Sequence, residues 1–339
     1  MPADHPENTR PATVRRVPLN LFGMAFGIAG LAVTWLTTAR YGHAPLWAGR
    51  ALLAVSAVVW AITVVRYARY ALSVRGAFAA DLTDPVAAPF ASLAVITPML
   101  PAAQGLHAYD SRAGTIVFDV FLVLTVLFGG WLTGQWIYGS LNLDQLHPGY
   151  FLPTVAGGLV AAAGAAAVGQ RTLGYAMLGL GLICWFILGS MILARLFFRP
   201  ALPPALYPTL AIEVAPAAVA TVAYLSLRGP HVDVFAAILA GYGVLMVLAQ
   251  LRLLPAFLRL RFAPSFWAFT FSWAAVATGV VHWTQILRPP GYLIYTYAAL
   301  SAVTLLIAGI AARTVLAAFS GGGVRTGPPH TSTALAEEH

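Results

Sequence analysis

Residues 206–227 read LYPTLAIEVAPAAVATVAYLSL. The stretch is 22 residues long and almost wholly apolar, but it holds one glutamate, Glu213, and three positions later a proline, Pro216. A helix crosses the roughly 30 Å hydrocarbon layer of a bilayer with about 20 apolar residues, so the length predicts a membrane span. Proline removes a backbone hydrogen bond and kinks a helix, and inside a membrane the freed carbonyl must be satisfied by protein or water rather than lipid. An ionisable side chain at that depth likewise faces the protein interior. This span therefore belongs inside a bundle. Residues 178–193, LGLGLICWFILGSMIL, read differently, because neither a charge nor a proline interrupts them. One broken span and one straight span are the first clue to the architecture.

The 339 residues are 60% apolar and only 9% charged, against about 25% charged for soluble domains. A water-facing surface cannot be built from that composition, and the chain reads as a polytopic membrane protein. All 19 basic residues are arginine and the formal net charge is +8. Membrane topology absorbs such an excess, since cytoplasmic loops attract it, and no nucleic-acid partner is called for. The single cysteine, Cys184, lies in an apolar run, which excludes an internal disulfide and a cysteine-based metal cluster.

Ten apolar runs are separated by polar or Pro/Gly breaks, at about 20–40, 47–72, 87–107, 115–139, 150–169, 173–197, 206–227, 232–256, 265–287 and 292–318. An even number puts both termini on one side. With cytoplasmic termini, the inner segments hold 13 arginines and the outer ones 6, namely Arg40, Arg50, Arg112, Arg171, Arg228 and Arg288. That split follows the positive-inside rule. Residues 1–17 read as a cytoplasmic tail leading into a retained first helix. The transmembrane domain covers 18–318, and the Gly/Pro/Ser/Thr-rich 319–339 reads as a disordered cytoplasmic tail.

The helix breakers alternate. Pro98 and Pro101 lie in the third span, Pro153 in the fifth and Pro216 in the seventh, Pro264 opens the ninth, and the first carries Gly23, Gly27 and Gly30. Even spans hold no proline apart from Pro255 at the end of the eighth. The expected fold is all-α, ten transmembrane helices forming five helical hairpins around a central pore, with kinked odd-numbered helices inside and straighter even ones outside. The glycine pairs Gly23/Gly27 and Gly130/Gly134 read as packing contacts between helices of the chain.

LNLFGMAFGIAGLAVTW in the first span, PGYFLPTVAGG entering the fifth, LAIEVAPAAVA in the seventh, AGYGVLMVLAQLRLLP in the eighth and SFWAFTF in the ninth occur in one order at one spacing. With these motifs the chain resembles the tellurite-resistance and C4-dicarboxylate transporter family, which includes bacterial TehA and the plant guard-cell slow anion channels. The resemblance implies a pore lined by the odd helices, a homotrimer with one pore per subunit, no cofactor, and a place in the bacterial inner membrane. It also implies a gating phenylalanine in the ninth helix, matched here by Phe271.

An anion channel needs a path on which a partly dehydrated anion is neither trapped nor rejected, together with a constriction that opens. Kinked helices supply small, sparsely polar walls, so Gly27, Gly30, Pro98, Pro101, Pro153 and Pro216 are the expected pore kinks and lining. Phe269 and Phe271 are two residues apart and point about 200° from one another, so only one can face the axis. Phe262, Phe266 and Trp267 read as interfacial anchors. Glu213 is open to three readings: pairing with an arginine, protonation in apolar surroundings, or a proton site in coupled transport. His282 lies eleven residues beyond Phe271, on a similar face; it reads as a hydrogen-bonded helix-end residue or as a vestibule group that changes charge near neutral pH. Asp119 and Arg50 read as interfacial, and Arg252 as a positive-inside anchor. No nucleophile–base constellation or metal-ligand pair stands out, so an enzyme is not expected. The leading functional reading is a channel for small monovalent anions such as chloride or nitrate. The alternative is a proton-coupled carrier or exporter of C4-dicarboxylate, sulfite or tellurite, with Glu213 as the coupling group.

Overall fold

The chain is described by a computed structural model covering residues 16–139 and 141–319, within which all regular structure is helical. The tail expected over 1–17 lies outside the described residues up to position 15, and the one expected over 319–339 from position 320 onward.

Nine helices among the described residues are long and apolar enough to cross a membrane: α1 (Leu19–Arg40), α2 (Leu46–Ser73), α3 (Ala88–Ala108), α4 (Ser111–Tyr138), α5 (Pro148–Ala167), α6 (Arg171–Phe198), α7 (Tyr207–Arg228), α8 (Val234–Leu258) and, last in the chain, α10 (Tyr292–Phe319). Between the last two lies α9 (Ala268–Leu287), which has 20 residues but is less apolar. Thr270, Ser272, Thr278, His282, Thr284 and Gln285 lower its hydropathy. Eleven of its residues are buried by protein, so it has little need to present an apolar face to lipid.

Burial separates the two kinds of span. In α1, α3, α5 and α7 between 61% and 78% of the apolar core window is buried, whereas in α2, α4, α6, α8 and α10 the share is 17% to 28%. The buried set with α9 forms a ring, α1 against α3, α3 against α5, α5 against α7, α7 against α9 and α9 back against α1. Each ring helix also packs against the outer helix that follows it in the chain.

The inner helices are irregular where the sequence says they should be. α3 consists of Ala88–Ala91, Leu93–Ile96 and Met99–Gln104, with a break at Pro98, and ends in a 3-10 turn Leu106–Ala108. α5 starts as a 3-10 turn, passes through a π-helical turn Leu152–Ala156 around Pro153, and becomes α-helical at Gly157. α7 is 3-10 over Tyr207–Val214 and α-helical from Ala215, with Pro216 in its first turn. The first span differs from expectation, because the α-helix Phe22–Arg40 runs unbroken through Gly23, Gly27 and Gly30. Glycine keeps its backbone N–H, so it breaks no hydrogen bond; these glycines provide room for close packing instead. A Cβ on Gly27 would collide with the Thr270 side chain of α9.

Polar fasteners hold the ring together. The Thr34 hydroxyl of α1 donates to the Ala274 carbonyl of α9 at 3.1 Å and lies 2.9 Å from the Thr278 hydroxyl. Ser56 of α2 donates to the Ala25 carbonyl at 2.8 Å, and Trp60 Nε1 to the Ala94 carbonyl of α3 at 2.8 Å. Each such buried bond is worth about 1 kcal/mol net. Gly158 and Gly181 let α5 and α6 approach until an added Cβ on the first would sit 2.7 Å from the backbone of the second. Gly130 and Gly134 behave otherwise than expected: both are exposed with open space around them, so they pack no helix of this chain.

Candidate pore and gate

Three cavities follow one another between the inner helices. The inner cavity, about 50 Å³, is lined from the starting halves of all five, including Gly23 and Phe26 of α1, Phe90 and Leu93 of α3, Phe151 and Val155 of α5, Pro216 and Val219 of α7, and Phe271 with Ser272 of α9. A middle cavity of about 70 Å³ is lined by Gly30, Thr37, Leu100, Val160, Val219, Phe271, Thr278 and His282, among others. It shares Thr37, Arg40, Gln104, Ala163, Ser226 and His282 with an open vestibule of about 520 Å³ that is lined by the C-terminal ends of the same five helices. The five ring helices therefore run in one direction, their N-termini around the inner cavity and their C-termini around the vestibule.

Phe271 and Val219 are the two residues common to the inner and middle cavities. Phe271 lies almost face to face with Phe26, ring centroids 3.7 Å apart and planes 16° from parallel. Gly30, one turn further along the same face of α1, completes the seat; a Cβ there would come within 2.8 Å of Phe271 Cδ2. A side chain on α9 thus stands between the inner and middle cavities, packed against an aromatic ring and a missing side chain on α1. Phe269 faces away, buried edge-on against Phe257 at 4.9 Å.

A family profile described as "Voltage-dependent anion channel" (SLAC1) matches residues 16–315, spanning every helix of this ring. The chain belongs to the SLAC1 family. It is similar to a tellurite resistance protein TehA homolog of Haemophilus influenzae, 30% identical over 262 residues, which is 77% of this chain and 79% of that one. It is also similar to the S-type anion channels SLAH3 and SLAH2 of Arabidopsis thaliana, each 22% identical over 90% and 93% of this chain. The aligned region spans 49% of SLAH3 and 62% of SLAH2. Membership and the run of apolar helices make the chain a multi-pass membrane protein.

Within this SLAC1 ring the expected residues separate. Pro216 and Gly30 line cavities, and Pro153 sits in the π turn whose neighbours Leu152 and Val155 line the inner one. Pro98 and Pro101 line none of the three; Pro98 stands at a break in α3 and Pro101 in the first turn of the segment that follows. Gly27 is a packing residue against Thr270. His282 faces the middle cavity and vestibule, and its Nδ1 shares a 3.0 Å hydrogen bond with the Tyr41 hydroxyl, as a hydrogen-bonded residue near a helix end would.

Glu213 is 5% exposed, lines none of the cavities, and neither carboxylate oxygen has a hydrogen-bond partner among the described residues. The reading that an arginine pairs with it is thereby overturned; the 3-10 turn aims the side chain away from the cavity its neighbours Ile212 and Ala215 line. Trp267 is also corrected. It is 4% exposed and donates from Nε1 to Thr314 of α10 at 3.0 Å, so it is a packing residue rather than an interfacial anchor. Asp119 accepts from Gln170 at 3.0 Å, Arg50 lies over the Tyr109 ring at 5.0 Å, and Arg252 is exposed.

Sequence reading missed Phe26 and Val219 in the constriction and Arg40 at the vestibule. Phe26 had a signal: it precedes Gly30 by four residues, one helical turn, so the two share the face that meets Phe271. It also missed the first-turn prolines Pro89, Pro148 and Pro208, which with Pro264 open four of the ring helices. Proline suits that position because the N–H it lacks has no intrahelical partner there.

Proposed function

We propose that this chain is an anion channel of the bacterial inner membrane, passing small monovalent anions such as chloride and nitrate through the cavity line and shut by the ring of Phe271. The observation that carries the reading is the position of Phe271, shared by the cavities on either side and stacked on Phe26. The likeness to plant S-type anion channels supports the class of permeant ion. In this reading α9 is a tenth span, the ten form five hairpins, both termini are cytoplasmic, and the chain assembles as a homotrimer.

The wall chemistry suits rapid passage. No charged side chain lines the inner cavity; its polar groups are Asn20, Ser265 and Ser272. Five helix N-termini converge there, and each carries about half a positive charge. That attraction is weak enough to release an anion and strong enough to admit one. Passage is then graded by how readily the anion sheds water. A phenyl ring across the lumen blocks it by filling and dewetting the narrowest level, and the path opens when the ring swings off Phe26. Planar-bilayer recording of wild type and Phe271→Ala tests the gate.

The second reading, a proton-coupled carrier of C4-dicarboxylate, sulfite or tellurite, draws on the buried and unpartnered carboxyl of Glu213. It is the weaker of the two, because Glu213 is set off the cavity line. A carrier would give small fluxes that follow a pH gradient and vanish in Glu213→Gln, whereas a channel gives large unitary currents indifferent to that gradient.

A further inference from the structure

The two ends of the cavity line differ in charge. The inner cavity has no charged lining, but the vestibule is lined by Arg40, His107 and His282 and by no carboxylate. Arg40 ends α1 and reaches across to α3, where its Nη2 donates to the Gln104 side-chain oxygen. It takes part in neither of the ion pairs found among the described residues, Arg16–Asp81 and Arg199–Asp144. Its side chain is exposed, and what it is exposed to is this vestibule. Three carboxylates at this end of the bundle line no part of the vestibule: Asp110 caps α4 by accepting from the Ala113 N–H, Asp233 caps α8 by accepting from the Ala236 N–H, and Asp119 accepts from Gln170.

Helix direction makes a cation necessary here. The ring helices present their C-termini to the vestibule, and their terminal carbonyls carry partial negative charge there, although the Leu227 carbonyl of α7 accepts from Arg171. An anion on that side therefore meets a repulsive rim, where at the inner cavity it meets an attractive one. A guanidinium with no carboxylate partner reverses the sign at the level where the vestibule narrows into the middle cavity, and Arg40 lines both. Polar side chains stand beside it, the Ser226 hydroxyl already donating to the Val222 carbonyl. Thr37 and Ser226 line the same two spaces, and so does His282, whose Nε2 has no protein partner among the described residues.

Resting on the channel reading above, we infer that Arg40, with Thr37, Ser226 and His282 around it, is an anion-binding site on the vestibule side of the Phe271 constriction. Its ligand is a small inorganic anion, held by one full charge and neutral donors, and handed on to the middle cavity. The Gln104 amide oxygen orients the guanidinium and, being uncharged, leaves its charge available to the ligand.

Bromide is a suitable probe, because it scatters anomalously and can be located in crystals of the full chain. Wild-type crystals soaked in bromide are expected to show an anomalous peak at the Arg40 guanidinium. Arg40→Gln should lose it while keeping the fold, and Arg40→Lys should retain it. In open-pore Phe271→Ala protein, Arg40→Gln should raise the half-saturating chloride concentration on the vestibule side about fivefold, the effect of losing one unit charge near an anion in a wet site. Absence of the peak in wild type, or an equal peak in Arg40→Gln, would overturn the assignment. Bromide bound at Arg40 in a protein that passes no current under any condition would refute the channel reading and leave the site standing.

Discussion

The ring of Phe271 lies on the ring of Phe26 with centroids 3.7 Å apart and planes 16° from parallel. One ring comes from α9 and the other from α1, so the stack joins two helices of the ring, and the block proposed for Phe271 would depend on how closely they approach.

Removing the support should loosen the block without abolishing it. Phe26→Ala is expected to raise conductance roughly two- to tenfold, matching the 0.5–1.5 kcal/mol of an aromatic pair, and by less than Phe271→Ala. Phe26→Leu, which keeps an apolar brace, should fall between Phe26→Ala and wild type. Unitary conductance and open probability in bilayers read both.

Two glycines one turn apart should behave oppositely. A Cβ on Gly27 meets the Thr270 side chain, and one on Gly30 meets the edge of the Phe271 ring at 2.8 Å. Gly27→Val overpacks the α1–α9 contact and should lower the melting temperature, at a cost of about 1–3 kcal/mol. Gly30→Ala should leave stability closer to wild type, because a ring bordered by cavities can move, and should raise basal current. Equal melting and equal current for the two variants would count against the seat described here.

His147 provides a pH test at the start of α5. The imidazole is fully buried, stacked on Phe90; Nδ1 accepts from the Gly149 N–H at 3.1 Å and Nε2 donates to the Val86 carbonyl at 3.2 Å. Burial pushes its pKa down to about 4, with the Val86 carbonyl pulling the other way. The folded state therefore binds fewer protons than the unfolded chain between pH 6.5 and about 4, so stability falls as pH drops through that window and is fully present above it. The loss is on the order of 3 kcal/mol at its limit. Melting temperature measured in detergent from pH 4 to pH 8 should show this slope, and His147→Asn, which keeps an acceptor for the Gly149 N–H, should flatten it.

Glu213→Gln separates the two transport readings. The carboxylate has no partner to lose among the described residues, so the amide variant should melt at or above the wild-type temperature and conduct normally in the Phe271→Ala background. Flux that disappears in Glu213→Gln while the protein still folds would favour coupled transport.

Much of the ring was legible in the sequence because its signals are local. Length and hydropathy marked the spans to within a few residues, and Pro98, Pro153 and Pro216 announced the irregular inner helices, since a missing N–H acts wherever it falls. Helical spacing separates the faces of Phe269 and Phe271, but it was the family resemblance that pointed to Phe271. What was not legible depends on neighbours from distant sequence. Gly27 looked like a breaker until Thr270 was found against it. Trp267 looked interfacial until Thr314 supplied a buried acceptor. Gly130 and Gly134 carry the same spacing as Gly23 and Gly27 yet face open space. Arg40 counted only as an outer-side charge, and its place in the vestibule follows from Gln104 and His282, 64 and 242 residues further along the chain.

The central claim, that the Phe271 ring closes the path, is tested most directly by single-channel recording of purified wild type and Phe271→Ala in planar bilayers with symmetrical chloride. The account predicts rare or small openings for wild type and a conductance about tenfold higher or more for Phe271→Ala, as expected when a dewetted constriction is removed. Equal conductance from two equally stable proteins would contradict it.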